Sequence, residues 1–223
     1  MRAWVLFACL ATFACGLRAQ DVHGYAAIAS DYVDRGVALG GSGPLLQLGV
    51  DASFASGIVA GAFATTVDRL WKRGSGPARV QLDAYLGYDF GCGGDCRARV
   101  LATRYEFPDR SDADWTEWSV SIAPHPRFGA SFSHAEQVYS TSFAGSTLEA
   151  WYEHPFAESI SGQIVLGRIR TRVFDYGYGR VGVTWRHERC SVDLSWHLAD
   201  EDFREAEVTD DLRHLTATLS YAF

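Results

Sequence analysis

The sequence has little positive charge and almost no lysine. Its 20 Lys and Arg residues are outnumbered by 27 Asp and Glu residues, which gives a formal net charge of −7. A protein that grips phosphate backbones needs the opposite excess, so we expect no nucleic-acid partner. Lys72 is the only lysine and the 22 glycines are scattered, so lysine-rich coiled coils and collagen-like chains are excluded.

A long hydrophobic run is also lacking beyond the N-terminus. The longest uncharged stretch, Ala52 to Val67, has 16 residues and includes several Ser, Thr and Gly residues. A spanning helix needs about 20 mainly apolar residues. The chain is nevertheless 48% hydrophobic and only 21% charged, so it should fold. If it lies in a membrane, it must cross as a closed β-barrel, the other fold that pairs its own backbone.

The first residues have the layout of a secretory signal peptide. Arg2 precedes an uncharged stretch from Ala3 to Leu17, and Arg18-Ala19 follows. We expect residues 1–19 to be the signal peptide and residues 20–223 the mature domain. Cleavage after Gly16 and a lipidated Cys15 are the alternatives. Removal of residues 1–19 leaves 18 basic and 27 acidic residues, a formal charge of −9.

Alternation of apolar and polar residues runs along the whole mature chain. In residues 79–90, Val80, Leu82 and Leu86 share one face while Gln81 and Asp83 share the other, as in a β-strand with one polar side. No helical stripe or linker interrupts the pattern, so we expect a single domain. The pattern predicts about twelve strands, near residues 23–35, 45–54, 58–68, 79–90, 96–105, 114–122, 127–138, 144–153, 160–170, 176–187, 190–199 and 212–223.

The connections between these strands alternate in length. Long charged connections follow odd-numbered strands, at 68–78, 107–113 and 200–211, whereas tight ones such as 55–57 and 187–189 follow even-numbered strands. Outer-membrane barrels place long loops outside and short turns in the periplasm in this way. We therefore predict an all-β fold, an antiparallel transmembrane β-barrel of about 12 strands, with 10 to 14 possible. A soluble β-sandwich has the same residue alternation and stays the alternative.

The N-terminal third resembles a known family. The stretches SDYVDRG at 30–36, PLLQLGVD at 44–51, SGIVAG at 56–61 and DAYLGY at 83–88 are similar to those of the TorF-type porin family of proteobacterial outer membranes. The likeness is strongest over residues 29–90. The resemblance implies an outer-membrane β-barrel of a Gram-negative bacterium with a channel role.

The alternation predicts which charged side chains line the pore, because the polar residues of each strand should face the lumen. Asp31, Arg35, Gln47 and Asp51 should face the lumen close together across the first two strands, either as a salt-bridge network that shapes the barrel or as a selectivity element. Arg97 and Arg99 should face the lumen as well. The predicted inward acids still slightly outnumber the predicted inward arginines, so we expect the pore to prefer cations weakly. The remaining predicted pore-lining residues are Asp83, Glu117, Glu149, Glu153, Arg180, Arg186 and Asp193.

The cysteines predict one disulfide. Cys92 and Cys96 flank Gly93-Gly94-Asp95, a tight turn in an oxidising compartment, and no matching His or Cys pair exists for a metal site. Cys190 should stay free as a small apolar residue on the lipid side.

Catalytic motifs are missing: no GxSxG elbow, P-loop or HExxH is present. We expect no enzyme, cofactor or metal, although His197 beside Asp193 and Ser195 leaves a hydrolase at the external rim as an alternative function. The expected function is diffusion of small hydrophilic solutes or ions. The expected partners are outer-membrane lipid and the insertion machinery that reads a final strand ending in Phe223.

Overall fold

The structure is a computed structural model, which describes residues 19–40, 43–68, 78–138, 143–200 and 213–223. Within these ranges one antiparallel sheet of twelve strands closes on itself, in the order β1-β14-β13-β12-β11-β10-β9-β8-β7-β6-β5-β4. The strands are β1 (Ala19–Ala29), β4 (Leu45–Phe54), β5 (Ile58–Thr66), β6 (Val80–Gly93), β7 (Cys96–Glu106), β8 (Trp115–His125), β9 (Phe128–Ala135), β10 (Gly145–Ala157), β11 (Ile160–Thr171), β12 (Asp175–His187), β13 (Cys190–Ala199) and β14 (Arg213–Ala222). Two short strands, β2 (Val33–Asp34) and β3 (Val37–Ala38), form a separate hairpin. Among the described residues, no helix has the length and apolar character needed to span a membrane.

The two ends of the barrel differ. The turn end carries the tight turns around residues 55–57, 94–95, 126–127, 158–159 and 188–189, together with Ala19 and Phe223. The loop end carries the other connections, including residues 30–44 and 107–114. The predicted β-barrel of about twelve strands is thereby confirmed. Residues 1–18 of the predicted signal peptide lie outside the described residues, and β1 begins at Ala19.

The faces of the sheet are inverted relative to a soluble protein. On β4, Leu46, Leu48 and Val50 point outward with 61%, 57% and 45% of their surface exposed, whereas polar Thr65 and Gln81 on the inner faces of β5 and β6 are 2% exposed. A β-sandwich would bury the apolar set. The sandwich alternative is therefore wrong, because the strands close into one barrel with its apolar face outside.

Strand β1 closes the barrel by pairing with both β4 and β14. At the end of this seam the Phe223 N–H donates to the Gly24 carbonyl at 2.9 Å, and the Gly24 N–H donates to the Phe223 carbonyl at 3.1 Å. The C-terminal residue thus extends the last strand. Closure leaves no unpaired edge in the sheet, the condition for a barrel in lipid.

Four inward aromatic rings lie over glycines directly opposite on the neighbouring strand. The pairs are Tyr25 with Gly49, Tyr85 with Gly61, Trp151 with Gly129, and Tyr178 with Gly167. A Cβ added at the glycine would lie 2.1 to 2.5 Å from the ring in every case. These glycines let large rings lie flat against the wall, as aromatic side chains do over glycines in sheets.

The predicted first strand, 23–35, is wrong at its end. Strand β1 stops at Ala29, and the chain then folds into the lumen as the β2–β3 hairpin, which turns at Arg35 and Gly36 with φ of +49° and +82°. Val37 and Leu39 of this segment are buried. Alternation could not signal the reversal, because the hairpin is itself extended backbone with the same period of two.

The folded-in hairpin completes an apolar cluster inside the loop end. Tyr105 and Phe107 stack on Trp115, with ring centroids 4.4 and 5.6 Å apart. The buried members of this loop-end cluster are Val37, Leu39, Val67, Ala78, Phe107, Ala113, Trp115, Ala135, Val138, Ile169, Phe174, Tyr176 and Tyr178. The cluster packs the loop-end half of the lumen.

Candidate functional site in the lumen

A cavity of about 540 Å³ lies in the lumen between the hairpin and the turn end. Strands β7, β8, β9 and β10 form its wall, and Arg35 from the hairpin reaches its upper boundary. The wall carries Ser, Thr, Arg, Asp and Glu side chains, with Ala98, Leu101, Ala123 and Trp151 among them. The volume is in the range of small-molecule binding sites.

A buried ion pair ties the hairpin to the wall. Arg35 Nη2 donates to Glu117 Oε1 at 2.7 Å, and the two side chains are 15% and 7% exposed. The Tyr176 hydroxyl also donates to the Arg35 carbonyl at 3.2 Å. Removal of one partner of a buried pair leaves an uncompensated charge, so this contact fixes the hairpin in the lumen.

Asp31 holds the base of the same loop. Its Oδ1 accepts hydrogen bonds from the Tyr32 N–H at 2.7 Å and the Gly40 N–H at 3.0 Å. Burial raises the pKa of Tyr32 well above its ordinary value, so this loop residue stays neutral. Asp31 therefore braces the loop from both ends.

The residues of the predicted cluster, Asp31, Arg35, Gln47 and Asp51, have partners in three different parts of the barrel. Arg35 pairs with Glu117, while Asp51 accepts a hydrogen bond from the Tyr85 hydroxyl. Gln47 faces Thr65 across β4 and β5. The prediction assumed that Asp31 and Arg35 continue β1, whereas β1 ends at Ala29 and both residues belong to the loop that follows it.

Carboxylates from several elements surround the hairpin. Glu149 accepts a hydrogen bond from the Tyr178 hydroxyl at 2.8 Å, and Asp83 accepts one from the Gln81 amide at 3.0 Å. Asp34 lies within electrostatic range of both Asp83 and Glu149. Asp34, Asp83 and Glu149 outnumber Arg35 here, so the surroundings of the hairpin are acidic.

Paired charges continue around the lumen beyond the cavity, on β10 to β13. Arg180 donates to Asp193 at 3.0 Å and to Ser195 at 2.9 Å. Arg186 lies 3.6 Å from Glu153 and donates to Ser161 at 2.8 Å. Both pairs lie on the polar parity that the sequence predicts for a lumen face. The acidic segment 201–211 lies outside the described residues.

The sequence placed Arg99 on the lumen face but did not predict its partner. Asp89 and Arg99 form an ion pair across β6 and β7, with Arg99 Nη2 donating to Asp89 Oδ2 at 2.7 Å. The turn at Cys92 and Cys96 sets the register of β6 against β7 and could have indicated this pair, since Asp89 and Arg99 both lie on the inward parity. The aromatic rings of Trp151, Tyr176 and Tyr178 carried no comparable signal.

The arrangement of Asp193, Ser195 and His197 does not resemble a hydrolase triad. The Ser195 hydroxyl donates to Asp193 at 2.5 Å, and His197 Nε2 lies 3.1 Å from Thr216 Oγ1. Ser195 is 1% exposed, so a substrate cannot reach its oxygen in this arrangement. Within the described ranges, no group of three or more His, Cys, Asp or Glu residues could hold a metal ion.

The turn between β6 and β7 contains a disulfide. Cys92 and Cys96 are joined, with their Cα atoms 5.1 Å apart. Gly93 and Gly94 adopt φ of +108° and +57°, which brings the strand ends together. Cys190 is free and exposed on β13.

Comparison with solved structures shows the fold of a porin. A NanC porin matches with a TM-score of 0.60 and 7% identity, and a KdgM porin with 0.58 and 7%. A KdgM porin in complex with disordered oligogalacturonate matches with 0.57 and 6%. Each match covers 91% of this chain and 99% of the porin.

No curated protein matches the chain by sequence. A family model described as a bacterial protein of unknown function, Gcw_chp, matches residues 18–148, and the chain therefore belongs to this family.

Proposed function

We propose that the protein is an outer-membrane channel through which small hydrophilic solutes or ions diffuse. One observation carries this proposal: a closed barrel of twelve strands with an apolar exterior and a polar, cavity-bearing interior. A barrel with this inversion is stable only in lipid, and its interior then connects two aqueous phases.

The channel is narrow. Barrels of eight strands are filled by side chains and those of sixteen leave an open pore, so twelve strands lie between these limits. Here the β2–β3 hairpin and the loop-end cluster occupy part of the lumen. A solute therefore passes the Arg35–Glu117 pair at close range, which favours selection by charge and size.

The location and assembly follow from the same proposal. A Gram-negative outer membrane, export by residues 1–19 and insertion through the strand that ends in Phe223 are consistent with the porin fold and with the seam between Phe223 and Gly24. The TorF-type name belongs to this proposal too, since the matching family model carries another description. The KdgM complex with oligogalacturonate supports only the broad class of hydrophilic solutes.

As part of this proposal, the predicted charged residues line the pore and give it a weak preference for cations. Arg180, Arg186, Glu153 and Asp193 support it through their pairing along one wall. The alternative of a rim hydrolase has no support in the contacts of Ser195 and His197.

Two measurements test the proposal in order. Electrophoresis of the folded chain with and without boiling should give two mobilities, because a closed barrel resists detergent until heated. Incorporation into planar bilayers should then give discrete conductance steps. A heat-modifiable barrel that never conducts would refute the channel function and keep the fold.

A further inference from the structure

Four strands of the cavity wall present their inward residues in level rows. In one row Arg99 faces Ser121, Ser121 faces Ser131 and Ser131 faces Glu149. In the next row toward the loop end, Ser119 faces Ser133 and Ser133 faces Thr147. Five hydroxyl groups from three strands therefore form one continuous patch.

These hydroxyls have no hydrogen-bond partner in the part of the chain that the structure describes. Among the described residues, none of the five side chains, Ser119, Ser121, Ser131, Ser133 and Thr147, makes a hydrogen bond. Elsewhere in the lumen, by contrast, Ser161, Ser195 and Thr184 are all engaged by charged neighbours. A patch of free donors and acceptors in a cavity is suited to a ligand rich in hydroxyl groups.

A charged group and an aromatic face flank the patch at the turn end. Arg99 is held by Asp89, but Arg97 forms no ion pair or hydrogen bond within the described part of the chain. Three strands away, the Trp151 ring lies flat over Gly129, where an added Cβ would meet it at 2.4 Å. Strand spacing puts Arg97 and Trp151 about 14 Å apart along the wall, which leaves room for a sugar ring between their side chains.

We propose that this patch is a binding subsite for a carbohydrate of one or two rings that carries a carboxylate. The Trp151 face packs against the apolar face of the sugar ring, the five hydroxyls and Glu149 bond its hydroxyl groups, and Arg97 pairs with the carboxylate. The subsite rests on the proposed channel function, since it names one class of hydrophilic solute that the channel would bind, with Arg97 as a local positive group in a lumen that otherwise weakly prefers cations. Arg35 pairs with Glu117, and Arg99 pairs with Asp89, so the charges of these two arginines are neutralised locally. Arg97 is therefore the positive group that can pair with a ligand at this point of the lumen.

Calorimetric titration of the folded, detergent-solubilised full chain tests the subsite. D-glucuronate and D-glucose are the two probes, and we expect saturable binding with D-glucuronate preferred. Arg97→Gln should weaken D-glucuronate binding about tenfold and leave D-glucose unchanged, because it removes a charge-assisted bond that only the acid makes. Trp151→Leu and the double variant Ser121→Ala/Ser131→Ala should weaken both sugars.

The matched control is Ser191→Ala/Ser220→Ala, a directly opposed serine pair on β13 and β14 outside the cavity wall. It should bind both sugars as the native chain does. Equal binding of the two sugars, or an Arg97→Gln variant with unchanged preference, would overturn the assignment of the carboxylate to Arg97. Bilayer conductance of the same preparation separates the two claims: current without sugar binding overturns the subsite, and sugar binding without current overturns the channel.

Discussion

The two halves of the lumen have the same strands and opposite contents. At the loop end, Val37, Leu39, Trp115 and Tyr176 are each no more than 4% exposed and pack as in a soluble core. At the turn end, serines, arginines and acids line a cavity. Residue parity thus decides which side chains point inward, and a separate segment of chain decides whether these side chains meet protein or water.

The β2–β3 hairpin accounts for this difference. Where it enters, the wall supplies aromatic and aliphatic partners, and one ion pair, Arg35 with Glu117, marks the boundary. Beyond its tip no described segment crosses the lumen, and the wall keeps polar groups that are satisfied by water or solute.

Removal of the hairpin should have the largest effect. The Leu39 N–H donates to the Tyr32 carbonyl at 2.7 Å, so Gly-Gly can replace residues 33–38 as a two-residue hairpin turn. Single-channel conductance should rise several-fold, because the segment that folds into the lumen is removed, although wall residues of the cluster such as Phe107 and Trp115 stay. A heat-modifiable barrel with unchanged conductance would show that the hairpin does not restrict the pore.

Alanine at Gly167 should destabilise the boundary between the halves. A Cβ there would lie 2.2 Å from the Tyr178 ring, displacing it and its hydrogen bond to Glu149. We expect a loss of about 1–3 kcal/mol in the free energy of unfolding, measured by urea titration in detergent. Gly91→Ala in the turn-end half is the control, since its Cβ meets nothing within 4 Å. Equal losses in both variants would contradict the role of ring packing.

Neutralisation of the boundary pair should shift ion selectivity in opposite directions. Arg35→Asn keeps a residue type that tolerates the φ of +49° and should move the reversal potential toward cations, because it removes a positive charge from an acidic region. Glu117→Gln should move the potential toward anions. The double variant should return close to the native value, and failure to do so would place the selective charges elsewhere.

Reduction of the Cys92–Cys96 disulfide should have the smallest effect. The bridge spans a sequence separation of 4 at the rim of the turn end, so its loss costs at most about 2 kcal/mol. Conductance should not change, because the bridge lies away from the hairpin. Alkylation without prior reduction should modify only Cys190 among the three cysteines Cys92, Cys96 and Cys190, as mass spectrometry can show. Modification of all three would contradict the bridge.

Most strand positions could be predicted from the sequence. Alternation located β4 at 45–54 and β13 at 190–199 with the bounds that the structure has. The pattern is clear because every strand has an apolar outer face, while its inner face is polar along much of its length. The first strand was the exception, since the signature at residues 30–36 combines strand-like alternation with a turn at Arg35 and Gly36.

The sequence by itself determined the twelve strands, their inward and outward faces and the alternation of loops and turns, because each depends on local periodicity and on turn residues. Only the tertiary structure decided what occupies the lumen. Arg35 and Glu117 are 82 residues apart and Glu149 and Tyr178 are 29 apart, and such contacts depend on how the barrel closes. Closure brings strands that are distant in sequence around one lumen, and no local pattern encodes which side chains then meet across it.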